Sequence, residues 1–512
     1  MTESNKFDVI VVGGGPAGIF AALEMARHSN LRVLLLEKGA DISDRRCPAR
    51  VVGACAHCTM CDITSGWGGA GAFSDGKLTL TPEVGGWLGE YVAPELMGSL
   101  ITDVDNVYLE FGAPAGLYGD DAESFERWDD LARKQGLRLV RSPIRHLGTE
   151  HSAVVLANMR AELEDKVEIA TNTDVAEVLV SDGGGAVARS AGGRGQSAGG
   201  GTLLGSVTSI GHDIDTGHDT RIGRDASTGR VTGVLTSDGK RYEAPVVILA
   251  PGREGASWLK DTAVRLGIPL ASNAVDIGVR VEVPAVVTNA ITDELYEPKL
   301  LYTSRYFEDQ VRTFCMNPHG VVCTESWGDV ITVNGHSYAD QDRHTPWTNF
   351  ALLVSTRFTE PFKEPIEYGK SIARLANILG KDILVQRLGD LRAGRRTTPE
   401  RLKRGVVEPT LCAATPGDLS FALPYRHLRD LLDMFDALDA LLPGVGGRDT
   451  LLYGVEVKFY SSRVQLDRDL ETPVAGLYAI GDGAGVTRGL VQASASGLVA
   501  ARAVLRAADA SS

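Results

Sequence analysis

The chain has 512 residues, more than a single hydrophobic core usually serves, so two packed domains are expected. Its formal charge of −14, from 66 acidic and 52 basic side chains, disfavours nucleic acid and anionic membrane surfaces and leaves a small molecule as the default partner. No apolar run approaches the ~20 residues of a membrane span, and seven cysteines, four of them between Cys47 and Cys61, do not make a secreted disulfide framework, so a cytoplasmic setting is expected.

The first six residues lead straight into the β-rich run Phe7 to Val12, so no cleavable leader is expected. From Pro16 through His28 the apolar residues Ile19, Ala22, Leu23 and Ala26 recur at helical spacing, and Leu31 to Glu37 reads as a second strand. The turn of this βαβ unit is Gly13-x-Gly15-Pro16-Ala17-Gly18. Glycines there let backbone approach a pyrophosphate, and the helix turns its positive end to the phosphates. Glu37, nineteen positions beyond Gly18 and followed by Lys38, stands where an acid can bond the adenosine ribose hydroxyls and argues against a 2′-phosphate.

Further on, the stretches Asp165 to Val180 and Arg230 to Tyr242 look like sheet. Between them residues 183 to 226 are dominated by Gly, Ser, Ala, Thr, Asp and Arg and hold too little apolar surface to fold alone. We read this segment as an insertion in a strand connection, with a lid over the substrate as the functional alternative. Ile268 to Pro424 mixes strands and helices without a second nucleotide loop, which makes it the candidate substrate domain. Leu428 to Leu442 has a helical pattern that stops at Pro443-Gly444, and Leu451 to Leu505 reads strand, strand, glycine turn, helix.

Two later segments narrow the nucleotide. Thr472 to Asp482, a strand ending in Gly481-Asp482, resembles the second fingerprint of the glutathione-reductase-like FAD superfamily. The resemblance assigns Asp482 to the ribityl chain, and the helix that follows Gly483 to Gln492, with Leu490 and Val491 as cofactor candidates, could turn its N-terminal amides to the pyrimidine edge of the flavin. Val246 to Arg253 resembles that superfamily's central strand-to-loop motif, with Pro251 between Ala250 and Gly252 where threonine is usual.

The run Arg46-Cys47-Pro48, the spacing Cys55-x-x-Cys58-x-x-Cys61 and the segment Gly66 to Leu78 resemble the uncharacterised FAD-dependent dehydrogenase family of bacteria and archaea. So do Gly278 to Glu282, Arg312 to Pro318 and Tyr453 to Arg463. The resemblance implies an α/β fold: a Rossmann-type FAD-binding domain assembled from discontinuous segments, with a mixed α+β substrate domain. We assign residues 1–80, 140–265 and 450–512 to the first, and 81–139 and 266–449 to the second, or cap, domain. Gly68, Gly69, Ala70, Ser74, Asp75 and Lys77 have a composition suited to wrapping ribityl and isoalloxazine, with Lys77 as a cation near the pyrimidine or as an ion-pair partner.

The cysteines admit three readings. Cys47, Cys55, Cys58 and Cys61 could hold an iron–sulfur cluster, or zinc with His57; Cys55 and Cys58 could form a redox disulfide; or the thiols simply pack beside the cofactor. The expected function is hydride transfer between a small organic substrate and flavin N5. The alternatives are a flavin monooxygenase using NAD(P)H and oxygen, and an electron-transfer flavoprotein that uses a cysteine-bound cluster. NAD(P)H as a transient donor or acceptor and a protein electron carrier both stay open. Glu456, Lys458 and Arg312, with Arg280, Glu282 and Arg463, are the candidate substrate-side residues; Glu456 and Lys458, two apart on a strand, share a face.

Overall fold

The computed structural model describes residues 5–48, 58–74, 76–181, 229–327, 329–338, 341–358, 364–459 and 462–510. The Gly-rich insertion at 183–226, Cys55, His57 and Asp75 lie outside the described residues.

The N-terminal unit is built on five parallel strands in the order Leu477–Ala479, Val246–Leu249, Val9–Val12, Val33–Leu36 and Val167–Ala170. Their sequences are almost continuously apolar because helices cover both faces of a parallel sheet; Ile10, Val11, Leu34, Leu35, Val247 and Ile248 are completely buried. The helix Pro16–His28 starts with proline in its first turn, where a missing N–H costs nothing. It packs on the last helix, Leu490–Asp509, so closely that a β-carbon on Gly497 would lie 2.2 Å from the carbonyl oxygen of Ala17. Three antiparallel strands, Val175–Ser181, Arg230–Thr236 and Arg241–Glu243, form a side sheet. Ser181 pairs with Arg230, which brings the two ends flanking the insertion side by side.

The second unit is an eight-stranded sheet in the order Thr415–Pro416, Leu384–Arg387, Leu451–Lys458, Val275–Pro284, Trp347–Thr356, Gln310–Asn317, Lys299–Thr303 and Leu137–Val140. The strand Val275–Pro284 at its centre explains how the sheet divides. Side chains alternate across a strand: Val275, Ile277, Val279, Val281 and Val283 enter the apolar core. Asp276, Arg280 and Glu282 occupy the opposite face, yet are buried too. The strand Gln310–Asn317 divides in a similar way, with Val311 in the apolar core and Arg312 and Phe314 on the polar side. The helix Tyr425–Leu441 contributes Leu431, Met434, Phe435 and Leu438 to the apolar core, while a hairpin of Val321–Trp327 and Val330–His336 supplies polar partners to the other face.

Two segments fall on the other side of the division drawn from sequence. Leu451–Lys458 pairs with Val275–Pro284 and Leu384–Arg387, so the strand belongs to the eight-stranded sheet rather than to the cofactor sheet. Conversely, helix Pro94–Glu110 buries Met97, Leu100, Val104 and Tyr108 in the core of the cofactor unit. Sheet register and an apolar helix face, neither bound by chain position, decide both placements.

Candidate cofactor and substrate site

Three strands of the cofactor sheet, Val9–Val12, Val246–Leu249 and Leu477–Ala479, are neighbours and end at one edge in glycine-containing loops. Ligands in open α/β sheets bind outside such carboxyl ends. Gly13 has φ +113°, and a β-carbon there would come within 2.1 Å of the Ala250 carbonyl oxygen. The first glycine therefore lets the Ala250-Pro251-Gly252 loop close against the dinucleotide loop. A β-carbon on Gly18 would be 1.9 Å from the Gly13 oxygen, so that residue serves the tight strand-to-helix turn. Gly15 differs: its β-carbon would meet nothing nearer than 4.0 Å, the Cα of Gly69, and would fill the gap between the two loops. Gly15 also begins the helix, without a side-chain cap. A bare helix start beside an open glycine position suits a pyrophosphate.

Glu37 is buried, and its carboxylate accepts N–H bonds from Gly14 at 2.7 Å and from Gly39 and Gly66 at 2.8 Å. A carboxylate offers about four acceptor positions. Three are used to tie together the dinucleotide loop and the loop after the second strand, leaving one direction for a ribose hydroxyl. Lys38 beside it is half-buried.

Gly68 and Gly69, both at positive φ, open the short 3-10 turn Gly69–Phe73, which includes Ala70. Gly68 N–H donates to the Gly14 carbonyl at 2.7 Å, and a β-carbon on Gly71 would lie 2.5 Å from Leu490. Ser74 is spent locally, donating to the Gly71 carbonyl at 2.8 Å and accepting from Gly76 N–H at 3.1 Å. Sequence reasoning missed the residue that holds this loop. Arg45, buried, donates to the carbonyls of Asp62, Ile63 and Trp67, and burial pulls its guanidinium down to about 10. A lone buried arginine bound to carbonyls has no sequence signature.

Gly481 takes φ +74°, and Asp482 follows. The Asp482 carboxylate accepts from the Thr487 hydroxyl at 2.9 Å and stands 3.8 Å from Arg253; burial holds it above the usual aspartate range. Gly483 lets this turn approach the Gly252 carbonyl. Val491 is buried and Leu490 half-buried at the start of the last helix. Thus segments from Gly13 to Gly18, Gly66 to Ser74, Ala250 to Arg253 and Gly481 to Val491 converge, and a flavin dinucleotide fits the donors they present.

The polar face of the second sheet adjoins this edge. Arg280 and Glu456, both fully buried, are 3.0 Å apart; Lys458 stands 3.1 Å from Glu456 and 3.1 Å from Glu325. Arg280 also donates to the Cys315 carbonyl and to Asn334, each at 2.8 Å. Burial alone would pull the Lys458 ammonium down, but Glu325 and Glu456 outweigh it and hold it above its ordinary value. Burial would raise the Glu325 carboxyl, and Lys458 with Arg253 outweighs that and lowers it. Arg312 pairs with Asp276. Glu282 is apart from this group, accepting from Tyr453 and Thr410, and burial raises it. Arg463 pairs with Glu90 at 2.6 Å.

Two bridges join the units at this point. The Arg253 guanidinium lies 5.9 Å from the Trp327 ring centroid, and the Arg488 guanidinium 5.3 Å from that of Phe314. Lys77, from the loop expected at the flavin, reaches across to the Met316 carbonyl at 2.8 Å, Asn317 Oδ1 at 3.1 Å and Glu297 at 3.3 Å. Its ion-pair partner is therefore a buried carboxylate of the second unit. Of the clustered cysteines, Cys58 and Cys61 are exposed and Cys47 is half-buried. Among the described residues no three His, Cys, Asp or Glu side chains are grouped to hold a metal ion.

Comparison with known proteins supports the cofactor. Residues 8–44 match the FAD binding domain family, and residues 274–459 match the family described as FAD-dependent protein, C-terminal domain-like. Both matches point to FAD as the cofactor. The second match ends just after the strand Leu451–Lys458 and so covers the central strands of the eight-stranded sheet. The chain is 26% identical over 532 aligned positions to an uncharacterized protein of Clostridium beijerinckii, covering 99% of this chain and 82% of that one. Over 41 residues it is 56% identical to LodB, a putative FAD-dependent oxidoreductase of Marinomonas mediterranea, covering 8% of this chain and 11% of that one. Among solved structures it is similar to a 3-ketosteroid-Δ4-(5α)-dehydrogenase from Rhodococcus jostii RHA1, with a TM-score of 0.42, 14% identity and 98% of each chain covered. No helix among the described residues is long and apolar enough to cross a membrane.

Proposed function

We propose that this chain is an FAD-dependent oxidoreductase, a dehydrogenase that removes hydride from a small organic substrate held between the cofactor strand ends and the polar face of the second sheet. The observation that carries this reading is their juxtaposition: Arg253 touches both Asp482 and the Trp327 ring, and Arg488 leaves the Asp482 turn to meet Phe314. FAD, when bound, supplies the acceptor for the hydride at its N5 atom and carries the redox chemistry itself. The chain's part is to bind, orient and set charge.

In this reading the helix start after Gly15, with Pro16, Ala17 and Gly18, holds the pyrophosphate, Glu37 a ribose hydroxyl and Asp482 the ribityl chain. Gly68, Gly69, Ala70, Ala250, Gly252, Leu490 and Val491 line the cofactor. Glu456 and Lys458 are positioning residues, since they are closed within their own ion pairs. Arg312, with a fifth of its side chain exposed, can meet substrate. Lys77 locks the flavin-side loop to the second sheet. The sequence holds one complete dinucleotide fingerprint, so nicotinamide, if used, docks transiently.

The test has two stages. Purified protein is denatured and the released flavin chromatographed; FAD is expected, and FMN or no flavin refutes the reading. Candidate substrates are then added without oxygen, and substrate, product, nicotinamide and oxygen are balanced. A dehydrogenase bleaches the flavin with substrate alone, whereas a requirement for NAD(P)H and oxygen with an oxygenated product would show a monooxygenase.

A further inference from the structure

The helix Tyr425–Leu441 turns one side into the apolar core of the second unit and leaves the other facing outward. On the outward side Tyr425, Arg429, Leu432 and Asp436 follow at spacings of four, three and four residues, which puts them on a single stripe. Tyr425 is 71% exposed, Arg429 and Leu432 are half-buried, and Asp436 is exposed. The turn after the strand Lys299–Thr303 widens this stripe. Its Phe307 ring meets that of Tyr425 edge-on, with 6.5 Å between centroids, and Tyr306, 53% exposed, lies 4.0 Å from the Arg429 guanidinium. Tyrosine, phenylalanine and arginine gathered at a surface have the composition of an interface core.

Charge decides which partner fits. At −14 the chain as a whole repels a second copy of itself. On this face, though, Arg305 pairs with Asp433, Arg426 with Asp309, and Arg392 with Asp436 at 2.7 Å, so the charges largely cancel. The Arg392 bond uses Oδ1 of Asp436, and 55% of that side chain is exposed, which leaves the carboxylate able to accept a second guanidinium. Along the stripe the order is basic, apolar, acidic. A contact between identical patches about a two-fold axis must be self-complementary, and this order meets the condition. Two such helices, antiparallel with the axis beside Leu432, set each Arg429 opposite the other copy's Asp436 and the two Leu432 side chains between those pairs. Tyr425 then faces Ala440, which is small and exposed.

We propose that this face joins two copies of the chain into a two-fold symmetric dimer. The antiparallel helices Tyr425–Leu441 form its centre, with Leu432 at the axis and Arg429 paired to the other copy's Asp436 on both sides; Tyr306 and Tyr425 flank them. A different protein with an acidic surface would answer Arg429 but meet Asp436 with a like charge, whereas a second copy of the same stripe answers both. The helix packs on the apolar side of the eight-stranded sheet, opposite Arg280 and Glu456. The dimer therefore leaves the cofactor edge and the polar face clear and does not depend on the dehydrogenase reading.

The full chain, as purified, is studied by sedimentation velocity at roughly 1 to 100 μM, a range that brackets micromolar association. Wild type is expected to be dimeric in the upper part of that range. Arg429→Glu sets carboxylates against each other at both pairs, and Asp436→Arg does the same with guanidinium groups; each should weaken association about a hundredfold or more. Mixed together, the two variants should form a one-to-one heterodimer, because each then meets the opposite sign on the other chain. Tyr425→Ser, at a position too exposed to disturb the core, should weaken the dimer about tenfold. Each variant is checked by circular dichroism against wild type, and the mixing result requires both reversals to be folded. A wild-type monomer throughout the range, a dimer indifferent to Tyr425→Ser and to both reversals, or folded reversal variants that stay apart when mixed would overturn the proposal.

Discussion

Replacing Lys458 with methionine tests whether the polar sheet face is a single electrostatic unit. The ammonium stands 3.1 Å from both Glu456 and Glu325. With Arg280, the group carries two positive and two negative charges. Methionine fills similar space but leaves one uncompensated negative charge in a buried setting, and breaking a buried pair this way costs about 3–5 kcal/mol. At about 2–4 °C per kcal/mol for a domain of this size, the melting transition should fall by roughly 6–20 °C. Glu325→Gln alone leaves one surplus positive charge. The double variant restores balance around Arg280 and Glu456, so its destabilisation should be smaller than the sum of the singles by about 1–3 kcal/mol. The assay is urea unfolding of FAD-loaded protein at neutral pH, read by circular dichroism. The linkage has two edges. The raised Lys458 contributes stability present below its unfolded value and lost as pH rises through its folded one; the lowered Glu325 contributes stability present above its unfolded value and lost as pH falls through its folded one. Strict additivity of the singles, within about 0.5 kcal/mol, would refute the unit and reduce it to independent pairs.

Glu297, buried with Lys77 and Lys299, has its carboxyl lowered to about 2: burial opposes this, but the two ammonium groups outweigh it. Its contribution is present above its unfolded value and fades as pH falls toward 2, so Glu297→Gln should cost about 3 kcal/mol at pH 7, with a smaller gap from wild type at pH 3, by denaturant midpoints at the two pH values. Deleting residues 184–226 and joining the flanking strands by a short turn should leave FAD bound, because Ser181 and Arg230 are paired neighbours; loss of all flavin from a soluble deletion variant would show that the segment belongs to the cofactor site, and lost turnover with FAD retained would support a lid. Cys58→Ser should keep its flavin, since that thiol is exposed. Iron, zinc and acid-labile sulfide in anaerobically purified wild type then separate a cluster, a zinc site and plain thiols.

The cofactor half was legible because its chemistry is local. A glycine loop, an acid at the next strand end and a late Gly-Asp each carry their reason within a few residues, and the helix Pro16–His28 matches the span read from apolar spacing. Even there, structure redistributes the roles. Gly13 and Gly18 serve chain-to-chain approach, and Glu37 binds three amides before any ribose. Lys77 shows the limit of local reasoning. Its partners Met316, Asn317 and Glu297 are more than two hundred positions away, and only the docking of the two units brings them to it.

The polar face was hidden for a different reason. Alternation in Val275 to Pro284 states that Asp276, Arg280 and Glu282 share a side, but not what covers it, and alternating strands commonly turn their polar side to water. Here that side is buried and partnered by a hairpin whose sequence, Val321 to His336, carries no nucleotide or catalytic pattern. Burying such charges seldom adds stability over apolar packing of the same volume. On the dehydrogenase reading, a face that spends desolvation on Arg280, Glu456 and Lys458 at the point where Arg488 and Arg253 cross from the cofactor edge is better explained by the charge it sets at that junction than by the stability of the sheet. On the dehydrogenase reading, substitutions at Glu456 and Lys458 should raise KM for the substrate while FAD stays bound, and an unchanged KM in both variants would refute that account.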